Sequence, residues 1–156
     1  MIKTNIGPYV YLTRSILPRM LKRDKKSGII FTSSIGSKIL MPCLSTYAAT
    51  KAFNDHFSQS LAYELVDQMD VLSFIPARVS TNMNRGAPSF NTLTPIEAAQ
   101  GALDALGREI VTEGHWRHVV TNKKSALGMA MMPQSWLLGA MNKRMRAFAK
   151  KIKERN

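Results

Sequence analysis

Apolar side chains recur at Val10, Leu12, Ile16, Leu17, Met20 and Leu21, a spacing that predicts a helix over residues 6–22, with Pro18 as a kink point near its end. The polar stretch RDKKSG then makes a turn closed by Gly28. The run IIFTSS, Ile29 to Ser34, is short, β-branched and apolar, as a strand buried on both faces requires. A loop through Pro42 leads into a long helix over residues 45–68, with Ala48, Ala52, Leu61, Ala62 and Leu65 on its buried face and Asp55 and Glu64 expected on the solvent side. Val71 to Val79 reads as a second buried strand, and residues 80–93 as loop. Thr94-Pro95-Ile96-Glu97 has the form of a capping box, so a helix is expected over 95–109. A third strand is expected around HWRHVVT, residues 115–121, with His115 and His118 partly exposed on it.

Strand and helix alternate, which predicts an α/β fold with a parallel sheet. The length of 156 residues and the hydrophobic share of 45% allow one domain with a hydrophobic core. One cysteine, Cys43, excludes an internal disulfide and reads as a loop thiol without a chemical role. His56, His115 and His118 show no ligand spacing with Cys43 or the acids, so no metal site is expected.

The net charge of +12 changes the picture only through its distribution. Lys143, Arg144, Arg146, Lys150, Lys151, Lys153 and Arg155 crowd the last stretch against Glu154, and a smaller basic run spans residues 19–26. Before the tail lies the longest uncharged run, Ser125 to Asn142, broken by Gly128, Pro133 and Gly139. It reads as an apolar surface apposed to a membrane, with Met129, Met131, Met132, Met141 and Trp136 as an adaptable face, and not as a span. A core-covering helix is the plainer alternative. Specific nucleic-acid binding ranks below both, since no aromatic residues are interleaved with the basic ones. The first fifteen residues have no apolar core of a secretory signal.

Candidate chemistry concentrates between Thr32 and Phe53. Tyr47 and Lys51 stand four residues apart on a predicted helix, hence on one face. An ammonium beside a phenol favours the phenolate and fits the tyrosine for proton donation to a carbonyl at neutral pH. Ser34 ends the apolar strand, where α/β sheets place ligand-binding groups, and its hydroxyl can bond the same carbonyl oxygen. Ser33 is the rival for that role and Ser37 a weaker one.

Asn5, Ser34, Tyr47 and Lys51, with IIFTSS before and ATKAF after, resemble the catalytic tetrad of the short-chain dehydrogenase/reductase family. NIGPYVYLTRSILPRM resembles the family helix that carries the asparagine. IPARVSTNM resembles the segment contacting the nicotinamide, with Ala77 where the family usually has glycine. MIKTNI, LPRMLKR and YAATKAFNDHFSQSLAYE are similar to the 17-beta-hydroxysteroid dehydrogenase and very-long-chain 3-oxoacyl-CoA reductase branch.

The resemblance implies that Tyr47 is the general acid, that Lys51 tunes it and bonds the nicotinamide ribose, that Ser34 polarises the carbonyl and that Asn5 holds a relay water. Pro76, Val79 and Thr81 would join Tyr47 and Lys51 in holding the cofactor, expected to be NADPH. The implied substrate is a 3-oxoacyl-CoA or a 17-ketosteroid, neither of which is selected by the loop NMNRGAPSFNTL. The implied location is the endoplasmic reticulum membrane, with the cytoplasm second.

No G-x-G-x-x-G turn follows a strand among the nine glycines. The chain is therefore expected to be the C-terminal half of a Rossmann-like, doubly wound parallel sheet, with residues 1–122 as the catalytic half and 123–156 as the apolar, then basic, segment. Three readings are open: a fragment of a longer enzyme, which is preferred, one half of a split enzyme, or a short noncatalytic subunit that pairs with other chains or with itself.

Overall fold

The computed structural model describes residues 1–82 and 89–153, the side chains of 129, 148, 149 and 151–153 apart. Residues 83–88, half of the expected substrate loop, fall outside the described positions, as do Glu154, Arg155 and the side chains of Met129, Lys151 and Lys153. Helices α1 (Ile2–Asn5) and α2 (Gly7–Met20) precede strand β1 (Ser27–Thr32). A single 3₁₀ turn, Ile35–Ser37, leads to the long helix α3 (Ser45–Glu64) and strand β2 (Met69–Phe74). Two-residue strands β3 (Arg78–Val79) and β4 (Thr92–Leu93) flank the outlying loop. Helix α4 (Pro95–Ala105), strand β5 (Val111–Thr112), and helices α5 (Trp116–Met131) and α6 (Gln134–Lys153) complete the order.

β1, β2 and β5 form one parallel sheet with β2 central, and β3 and β4 pair in parallel beside it. Alternate side chains of β1 and β2 feed two separate apolar layers, which is why these strands read as continuous apolar runs. Phe31, Met69 and Val71 meet Leu61, Ala62 and Leu65 around α3, and Tyr9, Leu17, Met20 and Phe57 close that layer. On the other face Leu72 and Phe74 meet Leu93 and the Ala98, Ala102 and Ala105 stripe of α4. The capping box is present: Thr94 Oγ1 accepts from the Glu97 N–H, and Glu97 accepts from the Thr94 N–H at 2.8 Å.

Three expectations need correction. Residues 115–121 are not a strand. Gly114, at φ +77°, turns the chain, and His115 caps the start of α5 by accepting from the Arg117 N–H, so the third parallel strand is β5, four residues earlier. His118, expected to be partly exposed, is fully buried on that helix. Asp55, expected on the solvent side of α3, is 3% exposed. In addition, the strand expected over 71–79 divides at Pro76 into β2 and β3.

Candidate active site

Ser34 follows the carboxyl end of β1, and the chain here is tied to β2 by two backbone bonds: the Ser33 N–H donates to the Phe74 carbonyl (2.7 Å) and the Ile35 N–H to the Pro76 carbonyl (3.0 Å). Ser34 Oγ accepts the Gly36 N–H at 3.2 Å and so caps the 3₁₀ turn, leaving its own O–H free to donate elsewhere. Ser33 has a different place. It is buried, and its hydroxyl donates to the Lys51 carbonyl at 2.7 Å, which fastens α3 to the end of β1. Ser37 donates to Asp55 at 3.2 Å.

Tyr47 and Lys51 lie one turn apart on α3, with the Lys51 ammonium 6.0 Å from the Tyr47 ring centroid. Gly36 separates Ser34 from that ring. A β-carbon there would sit 3.2 Å from Tyr47 Cε1, 3.6 Å from Ser34 Oγ and 3.0 Å from Met41 Sδ. Glycine leaves this contact unstrained, whereas a β-carbon would push the Met41 and Tyr47 side chains back by a few tenths of an ångström. Lys51 Nζ donates to the Thr32 carbonyl at 3.0 Å, and Tyr9 donates to the same oxygen at 2.6 Å. Partial burial pulls the Lys51 ammonium below its ordinary pKa and pushes the Tyr9 phenol above its own, although the Thr32 bond opposes the latter.

Asn5, at the end of α1, donates from Nδ2 to Thr50 Oγ1 (3.0 Å), and Thr50 donates to the Tyr47 carbonyl (2.8 Å). The asparagine thus braces the backbone of the tyrosine turn. Pro76 is buried next to Ile35, Val79 pairs in β3, and Thr81 is exposed just beyond it. Sequence reading missed Tyr9, Thr50 and His118. His118 Nδ1 accepts from the Ala77 N–H at 3.3 Å and Nε2 lies 3.1 Å from the Arg78 carbonyl, so one imidazole holds the segment between Pro76 and Val79. Thr50 gave no signal because its partner Asn5 lies 45 residues away, and Tyr9 gave none because its acceptor, the Thr32 carbonyl, lies 23 residues on.

The profile of the short chain dehydrogenase family matches residues 1–91. The chain belongs to this family. Relatives in the same family include the very-long-chain 3-oxoacyl-CoA reductase of Anas platyrhynchos, 33% identical over 99% of this chain and 50% of the relative. The inactive hydroxysteroid dehydrogenase-like protein 1 of Homo sapiens is 35% identical over 89% of this chain and 43% of the relative. The chain thus spans about half the length of the curated relatives it matches. Among solved short-chain dehydrogenase structures, a 7beta-hydroxysteroid dehydrogenase superposes with a TM-score of 0.72 at 21% identity, covering 90% of this chain and 56% of its own. A Burkholderia cenocepacia short chain dehydrogenase in complex with NADP gives 0.69 at 21% identity over the same shares. Both likenesses concern the fold.

Within that family fold, Ser34 and Tyr47 flank Gly36, while Lys51, bonded to the Thr32 carbonyl, faces the Tyr47 ring, and Asn5 stands one hydrogen-bonded residue behind them. The Lys51 ammonium spends one of its three N–H groups on Thr32, so its donor set suits the hydroxyls of a nicotinamide ribose. No described residues form a pyrophosphate cradle of the glycine-rich kind.

Proposed function

We propose that the chain carries the carbonyl-reducing site of a nicotinamide-dependent oxidoreductase. The observation that carries this reading is the approach of Ser34 and Tyr47 across Gly36, with Lys51 beside the Tyr47 ring. Ser34 holds the substrate oxygen, and Tyr47 donates the proton to it. Lys51 places positive charge beside the Tyr47 ring, and Asn5 acts through Thr50 to fix that turn of α3. Lys51, with Pro76, Val79 and Thr81, holds the nicotinamide and its ribose; when bound, that group supplies the hydride. Solved relatives carry NADP or NADH, and NADPH is the form proposed here.

A 3-oxoacyl-CoA is the favoured substrate and a 17-ketosteroid the second, since a relative covering 99% of this chain is named for the former. We place the protein at the endoplasmic reticulum membrane, as the family resemblance implies, with the exposed Leu127, Met131, Met132 and Trp136 as the surface that would meet it. The competing reading is a noncatalytic subunit, favoured by the human relative named as inactive.

NADPH oxidation with a 3-oxoacyl-CoA or estrone, in an assembly that binds the dinucleotide, separates the two. Turnover that falls by about 10²–10⁴ in Tyr47→Phe supports the reductase. A dinucleotide-loaded assembly that turns over neither substrate, and in which Tyr47→Phe disturbs only assembly, overturns it.

A further inference from the structure

The stretch from Pro76 to Ser80 is tied down from three sides. The Pro76 carbonyl accepts from the Ile35 N–H, which joins it to the turn after Ser34. Arg78 and Val79 pair with Thr92 and Leu93 of β4, and the Ser80 N–H donates to the Leu93 carbonyl at 2.8 Å. These ties run from backbone to backbone and are indifferent to pH. The third comes from a side chain. His118 Nδ1 accepts from the Ala77 N–H, so its proton sits on Nε2, which faces the Arg78 carbonyl. One imidazole thus spans two consecutive residues.

The ring is fixed where it stands. It is fully buried, in the first turn of α5. The start of that helix is set by the His115 cap and by Gly114, whose carbonyl lies against Gly101 of α4. Both nitrogens are used only while the ring is neutral. A second proton, on Nδ1, would set one N–H against the Ala77 N–H. The titratable and charged side chains on the elements around it are His115 and Arg117 of α5, Arg78 of β3, Glu113 in the turn before α5 and Glu97 of α4. Glu97 is already paired with Arg117, and Glu113 meets the ring through its carbonyl. Burial first, then His115 and Arg117, disfavour the imidazolium.

We propose that His118 is a positioning residue for the cofactor: neutral, it holds Ala77 and Arg78 in place beside the nicotinamide, and protonated, it lets them go. This role rests on the reductase reading, in which Pro76, Val79 and Thr81 hold that group. The nicotinamide end then binds at full strength above the ordinary histidine value of ~6.5 and weakens by at most about tenfold per pH unit below it.

Two measurements test it. In the full 156-residue chain, amide exchange, corrected for intrinsic rates, should show Ala77 protected at pH 7.5 and released at pH 5.5. Leu72, buried in the middle of β2, should stay protected at both. In an assembly that binds the dinucleotide, affinities for NADP⁺ and for adenosine 2′,5′-bisphosphate are compared over the same range. The bisphosphate lacks the nicotinamide, so the ratio of the two reports that end alone and cancels the titration of the 2′-phosphate. The ratio should fall by up to about tenfold in the parent. In His118→Gln it should start about tenfold lower and stay flat. His115→Asn keeps a capping acceptor at the start of α5 and should follow the parent. A ratio that ignores pH, that falls equally in His118→Gln, or that goes flat in His115→Asn overturns the proposal. So does the loss of Leu72 protection together with that of Ala77, since His118 would then act on the whole fold. If NADP⁺ binds no more tightly than the bisphosphate while Ala77 still follows His118, the nicotinamide reading itself fails and the proposal falls with it.

Discussion

Asp55 is the most heavily bonded side chain near the site. Its carboxylate accepts from Ser73 and Gln59 on Oδ1, each at 2.7 Å, and from Ser37 (3.2 Å) and Lys38 (2.7 Å) on Oδ2. It thereby ties α3 both to β2 and to the turn that follows Ser34. Burial alone would raise its pKa, but the bonds from Lys38, Ser73 and Gln59 together outweigh it and hold the carboxyl below its ordinary value. The folded value lies below the unfolded one, so the stabilisation is complete above the unfolded carboxyl's ~3.9 and is lost as pH falls through the folded value. Asp55→Asn should cost about 2 kcal/mol at neutral pH, less than breaking a fully buried pair because the half-exposed Lys38 can turn to water. Urea unfolding at pH 7 and pH 3 checks it: the gap between variant and parent should shrink at the lower pH. His118 makes a second prediction in a different window. Burial lowers its pKa, with His115 and Arg117 adding to the effect and the carbonyls of Arg78 and Glu113 opposing it. Nδ1 accepts from Ala77, so the proton sits on Nε2, facing Arg78. This histidine is neutral in the fold, and its contribution is present above the ordinary ~6.5 and lost as pH falls below it. Thermal melts from pH 7.5 to 5 should show that loss in the parent and a flatter curve in His118→Gln. Trypsin should also cut after the exposed Arg78 faster in the variant, since its clamp is gone.

How α4 meets β5 depends on two glycines. Gly101 faces Gly114 so closely that a β-carbon at 101 would fall inside the Gly114 carbonyl, and one at Gly114 would strike the Phe74 ring. A backbone obstacle cannot swing aside as a side chain can. Gly101→Ala should therefore destabilise the fold by about 3 kcal/mol, despite the better helix propensity of alanine, as a denaturant midpoint would report. A rise in stability would mean that α4 stands farther from the turn than it does here. The same corner shows why part of the fold was legible in the sequence and part was not. The capping box at Thr94 and Glu97 is local chemistry, readable four residues at a time, and so are β1 and the start of α3. The stretch His115 to Thr121 carries a valine pair that suits a strand, yet a positive-φ glycine and a histidine cap decide for a helix, and neither acts through hydrophobic period. Asp55 was misplaced for a related reason. Its cation Lys38 and its buried partner Ser73 lie 17 and 18 residues away, and Gln59, one turn along, is neutral and does not signal that a carboxylate is compensated there. The proximity of Ser34, Tyr47 and Lys51 was legible because strand end and helix face position them locally, while Thr50 and His118 act across distances that only the fold closes.

The net charge of +12 belongs mainly to one end of the molecule, where it meets apolar surface. At the turn between α5 and α6, Leu127, Met131, Met132 and Trp136 are exposed, Trp136 to 74%. Lys143, Arg144, Arg146 and Lys150 follow on α6, whose opposite, apolar side (Leu137, Leu138, Met141) is turned to the loop 38–42. Water alone is a poor environment for a tryptophan and two methionines at one corner, and a bilayer surface with anionic headgroups satisfies both the apolar corner and the basic helix. Each basic residue near such a surface contributes about 1 kcal/mol at most, falling off over a Debye length of about 8 Å at physiological salt. Binding to phosphatidylserine-containing vesicles should therefore be clear at low salt, much weaker at 0.5 M, and absent on neutral vesicles. In a Trp116→Phe background the remaining tryptophan emission should shift to the blue on binding, and Trp136→Ser should lower vesicle sedimentation without changing the far-UV spectrum. Retention that ignores salt, or a tryptophan signal that does not move, would instead assign this corner to another protein surface, with the basic helix serving only to keep the chain soluble.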